Sequence, residues 1–469
     1  MSLVLVANRA PIRPVADGWA PSLGGLASAL LPVLERRGGA WVAARDPGET
    51  APLAQAWPAD APTFTVHRVP LDEAEFEGFY QGMSNRVLWP LSHYLVQHVE
   101  PERAFLQAYL AVNDRFADAA IDAADAQEGR PTFWIQDYHM MRVPKRIREA
   151  RPDARIGFFW HVPWPASEVF QILPSARPLL RGVLGSDLIG FHTEGYAENF
   201  RESARDLLGA EIDGTDVLWD GRRCRVEAHP IGIDVGRFEA LATTPEAGAM
   251  AAEFSADLGG VQIVLGVDRL DYTKGLLLRM EGFERFLELY PERHGTVSLV
   301  QIATPSRTGV PAYDRLKRDL DEAAGRINGR FAKGAWAPVR YRYQSFDHAE
   351  LAALYRVADV ALVTPLRDGM NLVAHEFAAV SAVAAADGGT PGVLVLSELT
   401  GAADYLEGAM LVNPYDTDGL AHAVAHALDL PDRERRDRLT AMRAAVGDLD
   451  VHTWARAFLE SLDAGGVER

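Results

Sequence analysis

The chain has little that could form a disulfide or hold a metal. Its 469 residues include one cysteine, Cys224, so no intrachain disulfide can form and no CxxC pair exists. Cys224 reads as a packing residue. There is no HExxH, and a DxD, Asp416-Thr417-Asp418, precedes a helical run and reads as a helix cap. No metal and no cofactor is expected. No apolar run approaches the ~20 residues of a membrane span. The first nine residues carry no basic leader region and begin directly as a strand. A cytoplasmic location without a membrane partner is the expectation. Basic residues are outnumbered, and the formal net charge is −18. That argues against nucleic acid or an anionic lipid surface as the main partner. An anionic ligand would need a local cationic site working against the global field. Lysine is also scarce: only residues 145, 274, 317 and 333 are lysines, among 47 basic side chains.

What is present describes a globular α/β protein. Hydrophobic residues make up 48% and charged residues 24%, and the length calls for two or three domains. Buried strands are predicted at Leu3–Ala7, Phe133–Gln136, Ile156–Trp160, Leu188–Phe191, Ile263–Val267, Val297–Ala303, Val360–Val363 and Val393–Leu396. Most are continuous apolar runs, as parallel strands covered on both faces should be. Helical patterns such as Leu276–Tyr290 and Ala349–Val357 lie between them. The alternation predicts a doubly wound fold, twice over. Pro230 and Gly232 in His229–Asp234 suggest a boundary, giving domains 1–232 and 233–450. The amphipathic segment Val451–Leu462 predicts a final helix within 451–469, which either completes the second domain or crosses back to the first.

The densest stretch is Thr364-Pro365-Leu366-Arg367-Asp368-Gly369-Met370-Asn371-Leu372-Val373-Ala374-His375-Glu376. It reads as a strand end, a flexible Arg367-Asp368-Gly369 turn, and a helix starting near Asn371. Free N–H groups at a helix start suit an anion. Glu376, about one turn further in, suits sugar hydroxyls such as those of a ribose. Together they suggest a nucleotide diphosphate, although an ordinary βα unit fits the same pattern. Arg269 and Lys274 share the loop Asp268–Gly275 after another strand. A guanidinium fork and an ammonium there suit a diphosphate, and a solvated surface loop is the alternative.

The first half offers Asn8-Arg9 at a strand end and Gly24-Gly25-Leu26 at a helix start. Asp137 and His161 stand at two further strand ends. Ser84–Pro90 is aromatic-rich, with Tyr80 upstream and Trp89 within it, and suits either a sugar face or a core.

Taken together these segments, with Gly157–Pro165, Pro230–Ile233, Gln301–Arg307 and Gly325–Gly329, resemble the trehalose-6-phosphate synthases, retaining glycosyltransferases of family 20. The resemblance runs from residue 8 to about residue 414. It implies the GT-B architecture, two doubly wound Rossmann-like domains facing a central cleft, with the acceptor on the first and the nucleotide sugar on the second. It implies glucose transfer from a nucleoside-diphosphate glucose, UDP-glucose first, to glucose 6-phosphate. Arg269 and Lys274 would hold the diphosphate, assisted by Gly24, Gly25 and the backbone of Leu372 and Val373. Glu376 would hold the ribose, and the backbone near Phe346 the base. Asp368, His161, Met370 and Asn371 would hold the transferred glucose. Arg9, Tyr80, Trp89, Asp137 and Arg307 would form the acceptor site. The resemblance further implies front-face attack without a protein nucleophile. Two departures stand out: His375 replaces a frequent lysine, and Ala40–Arg45 replaces a Trp- and Gly-rich stretch. Glucosylglycerol-phosphate synthase, using glycerol 3-phosphate, shares most of the motifs. A non-catalytic sugar-phosphate sensor would be expected to lose some of Arg269, Lys274, Asp368 or Glu376, and all four are present. The oligomeric state stays open, a homo-oligomer included.

Overall fold

A computed structural model of the chain describes residues 2–15, 18–22, 25–127, 129–307 and 310–464. The chain divides into two compact units, Met1–Ile231 with Val451–Arg469, and Gly232–Asp450.

The first unit is built on a ten-stranded sheet. Seven parallel strands run in the spatial order Phe64–Pro70, Gly39–Arg45, Ser2–Val6, Pro131–Gln136, Arg155–Phe159, Leu188–Phe191, Arg222–Ala228. Numbered along the chain, the first six follow the Rossmann order 3-2-1-4-5-6, whose switch point lies between Ser2–Val6 and Pro131–Gln136. Antiparallel strands Ala54–Trp57, Asp216–Trp219 and Glu211–Asp213 extend the two edges. The helix Val451–Ala464 packs on this sheet. Phe458 stacks on Trp134 at 5.2 Å, and Trp454 meets Phe159 edge-on at 5.0 Å. Gly157 makes room, since a Cβ there would lie 2.8 Å from the Phe458 ring. Burying a side chain of that size contributes about 2–3 kcal/mol.

The second unit holds six parallel strands in the order Val339–Arg342, Val297–Thr304, Gln262–Arg269, Val360–Val363, Val393–Ser397, Met410–Val412. This is again 3-2-1-4-5-6, with the switch point between Gln262–Arg269 and Val360–Val363. Val264 sits level with Leu299 on one side and Val360 on the other, which makes a dry centre. Both units are therefore α/β and doubly wound. Observed strands differ from the apolar runs by a residue or so at their ends, as in Ser2–Val6 for Leu3–Ala7 and Val297–Thr304 for Val297–Ala303. Asp416 caps its helix by accepting from the Gly419 N–H at 2.8 Å, as its place before a helical run predicted.

Candidate active site

In a doubly wound sheet, ligands bind beyond the strand C-termini at the switch point. In the second unit those ends carry Arg269–Lys274 and Thr364–Asn371. Gly275 follows Lys274 at φ +66°, and a Cβ on it would lie 2.4 Å from the Thr364 carbonyl oxygen. Only glycine allows that approach of the two loops at this φ. It brings Lys274 Nζ within 2.5 Å of Asp368 Oδ2, with both side chains 12% exposed.

Asp368 does not lie on a flexible turn, and that expectation is corrected. Its carboxylate also accepts from the Gly369 N–H at 2.9 Å and Asn371 Nδ2 at 3.1 Å. The Met370 carbonyl accepts from Thr400 Oγ1 at 2.8 Å and the Ala402 N–H at 3.0 Å. The loop is pinned because its polar groups are nearly buried and must be paired.

Asn371 holds φ 72° and its side chain does not cap the helix Leu372–Ala386. The helix start is left without a side-chain cap, and Leu372 and Val373 are partly exposed there. Backbone donors and the helix dipole at that end favour an anion. His375 adds no cation to this end: it is fully buried, and burial lowers its pKa to about 4. Glu376 accepts from Tyr355 Oη at 2.9 Å, and burial pushes its carboxyl up to about 7 against that bond. Phe346 lies in the loop between Val339–Arg342 and the helix His348–Val357, partly exposed.

Beneath these loops sits a buried polar layer. Arg279 is fully covered and pairs with Asp268 at 2.7 Å. It donates to Thr364 Oγ1 at 3.0 Å, Gln301 Oε1 at 3.1 Å and the Lys274 carbonyl at 3.3 Å. One guanidinium thus ties both strand ends together across the switch point. Breaking such a buried pair by removing one partner costs about 3–5 kcal/mol.

Arg269 is 48% exposed and lies 3.9 Å from Asp271 Oδ2. Arg307, expected in the acceptor site, is nearly buried and pairs with the same oxygen at 3.1 Å. Its φ of +46° is a strained conformation. Among the described residues five non-glycines have positive φ, and Asp137, Arg307 and Asn371 are three of them. Strain of this kind concentrates at functional sites.

The first unit gathers its predicted residues the same way. Arg9 follows the first strand, donates to Asp46 Oδ2 at 3.0 Å and to Tyr80 Oη at 3.0 Å, and lies over the Tyr80 ring. Trp41 Nε1, on the strand Gly39–Arg45, holds the Arg9 carbonyl at 3.0 Å. Tyr80 belongs to a π-helix, Glu77–Leu88, an uncommon winding found often at functional sites. Tyr80 stacks on His139, and Trp89 packs against Tyr138 at 5.7 Å. Asp137 Oδ1 accepts from the His161 N–H at 3.1 Å. His161 Nε2 lies 2.9 Å from Gln136 Oε1, and burial beside His192 keeps its ring neutral. Gly25 opens the helix Gly25–Arg37, and Gly24 lies outside the described residues.

The sequence reading missed Asp271, Arg279 and the π-helix. Asp271 stands between the two cations of its loop, which was its only signal. Among the described residues no group of acidic, histidine or cysteine side chains has a metal-binding arrangement, and no helix is long and apolar enough to cross a membrane.

Two doubly wound units, with polar and charged residues collected at each switch point, define an α/β protein built to bind ligands at its strand C-termini. The family model of glycosyltransferase family 20 matches residues 3–464, and the chain belongs to that family. A trehalose-6-phosphate synthase of Mycolicibacterium gilvum is 42% identical over 98% of this chain and 93% of its own length. A bifunctional trehalose-6-phosphate synthase/phosphatase of Thermoproteus tenax is 40% identical over 98% of this chain, which spans 63% of that longer protein. Among solved structures, one from E. coli bound with UDP-2-fluoro glucose is similar at TM-score 0.90 and 36% identity, covering 98% of this chain and 99% of its own. A Burkholderia xenovorans alpha,alpha-trehalose-phosphate synthase (UDP-forming) in complex with glucose-6-phosphate is similar at TM-score 0.88 and 34% identity, covering 98% and 100%.

Proposed function

We propose that this enzyme transfers glucose from UDP-glucose to glucose 6-phosphate with retention, forming trehalose 6-phosphate. The observation that carries the reading is the pinned Lys274–Asp368 pair beside an uncapped helix start at the second unit's switch point. The names and ligands of the family 20 relatives support the choice of substrates.

Arg269, Lys274 and the N–H groups of Leu372 and Val373 take the donor diphosphate, and Glu376 takes the ribose. Asp368, His161 and the backbone at Met370 and Asn371 hold the glucose. Neutral His161 offers a ring nitrogen to a hydroxyl. Arg9, Tyr80, Trp89, Asp137 and Arg307 take the acceptor, with Arg9 and Arg307 on its phosphate. In the reaction the glucose C1–O bond to the diphosphate breaks as the acceptor 1-hydroxyl bonds C1 on the same face. The hydroxyl proton passes to the leaving phosphate oxygen. Charge grows on that phosphate, so the cations aimed at it bind the transition state more strongly than the ground state. Asp368 is held by Lys274 and serves to orient the sugar, leaving the leaving group as base.

The test is Arg307→Ala. It raises KM for glucose 6-phosphate about tenfold or more, as expected for loss of a charge-assisted contact. Donor KM is unchanged. An unchanged acceptor KM would remove Arg307 from the acceptor site.

A further inference from the structure

Asp271 is fully buried, and no substrate role in the proposed function falls to it. Its Oδ1 accepts from the Thr273 N–H at 3.0 Å and Thr273 Oγ1 at 2.9 Å. Its Oδ2 faces Arg307 Nη1 at 3.1 Å, Tyr313 Oη at 3.3 Å and Arg269 Nη2 at 3.9 Å. Tyr313 Oη also bonds Arg307. Burial alone would raise this carboxyl, yet the two guanidinium groups and the Thr273 N–H hold it below the ordinary range. One oxygen therefore collects the two arginines that the proposed function gives to different substrates.

The arrangement is not what a purely structural ion pair would need. Arg269 remains 48% exposed while Arg307 is 6% exposed, so one carboxylate anchors a guanidinium that faces out and one that is nearly enclosed. The backbone strain at Arg307 is tolerated at the residue that reaches this oxygen. Two neighbouring cations repel, and a buried carboxylate between them sets the place of both.

We propose that Asp271 is a positioning residue for both substrate anions, fixing Arg307 for the acceptor phosphate and Arg269 for the donor diphosphate. This rests on the substrate roles proposed above. The two arginines are then each placed by the same residue, and acceptor capture and leaving-group stabilisation share one carboxylate.

The test compares Asp271→Asn, Arg307→Ala and the double variant, with melting temperatures alongside. Asparagine keeps the shape and removes the charge. The proposal expects Asp271→Asn to raise KM for glucose 6-phosphate at least tenfold and to lower kcat at least tenfold. In the double variant, acceptor KM stays within about twofold of Arg307→Ala alone, because the asparagine acts on that constant only through Arg307. Full additivity on acceptor KM, or an unchanged KM in Asp271→Asn, overturns it. Tyr313→Phe is the milder variant should Asp271→Asn fail to fold. It is expected to raise acceptor KM severalfold with kcat retained, and an unchanged KM there also overturns the proposal. If Arg307→Ala itself leaves acceptor KM unchanged, the substrate assignment fails instead, and the kcat of Asp271→Asn still reports on Arg269.

Discussion

Replacing Glu376 with glutamine should make the protein more stable at alkaline pH and a poorer binder of its donor. The carboxyl has an ordinary value of 4.5 and burial pushes it up to about 7. Its charged form is thus disfavoured in the folded chain. The stability contributed by the proton it keeps is fully present below about 4.5 and is lost as pH rises through about 7. The gap corresponds to about 3 kcal/mol, an upper figure because the side chain keeps a partly exposed face. Glutamine is isosteric, still accepts from Tyr355, and carries no charge. The variant's melting temperature, relative to wild type, should therefore rise by several degrees between pH 5 and pH 8.5. Donor affinity should move the other way. Above about pH 7, where the carboxylate is charged, losing that acceptor for two hydroxyls costs about 1.5–3 kcal/mol, roughly a 10- to 100-fold rise in donor KM. Acceptor KM should hold. The assays are thermal melts across pH and initial rates with each substrate varied. A melting difference that does not change with pH would refute the buried-charge reasoning. A selective rise in acceptor KM would refute the donor assignment.

Two further outcomes follow from the same site. Lys274→Ala should lower kcat about 10²- to 10³-fold, as loss of a contact to developing charge does, while UDP binding by calorimetry weakens far less. Near-normal turnover would remove Lys274 from the mechanism. Activity should persist after exhaustive chelation, the cations at the switch point serving where a metal would. Loss with EDTA and recovery with magnesium or manganese would contradict this.

The fold was legible because parallel strands buried on both faces must be continuously apolar, as Val360–Val363 and Val297–Ala303 are. The helix start at Asn371 was legible for a local reason too, since turn residues precede an apolar helical pattern. What stayed hidden depends on contacts between residues far apart in sequence. No pattern near Arg307 announces that it reaches Asp271, 36 residues earlier. Arg279 looks like one more polar residue of an amphipathic helix, and only the fold shows that it bonds Thr364, 85 residues further on, and so ties two strand ends together. Asp368 reads as part of a Gly-containing turn, and only the approach of Lys274 shows that it is pinned. The π-helix around Tyr80 has the apolar spacing of an ordinary helix, so its winding leaves no local signature.

The central claim is the reaction. The most direct measurement incubates the enzyme with UDP-, GDP- or ADP-glucose and with glucose 6-phosphate, glucose or glycerol 3-phosphate, and identifies each product and its anomeric configuration by NMR. The account predicts α,α-linked trehalose 6-phosphate from UDP-glucose and glucose 6-phosphate, with glucose and glycerol 3-phosphate poor acceptors. Equal use of glucose and glucose 6-phosphate, preference for glycerol 3-phosphate, or an inverted product would contradict it.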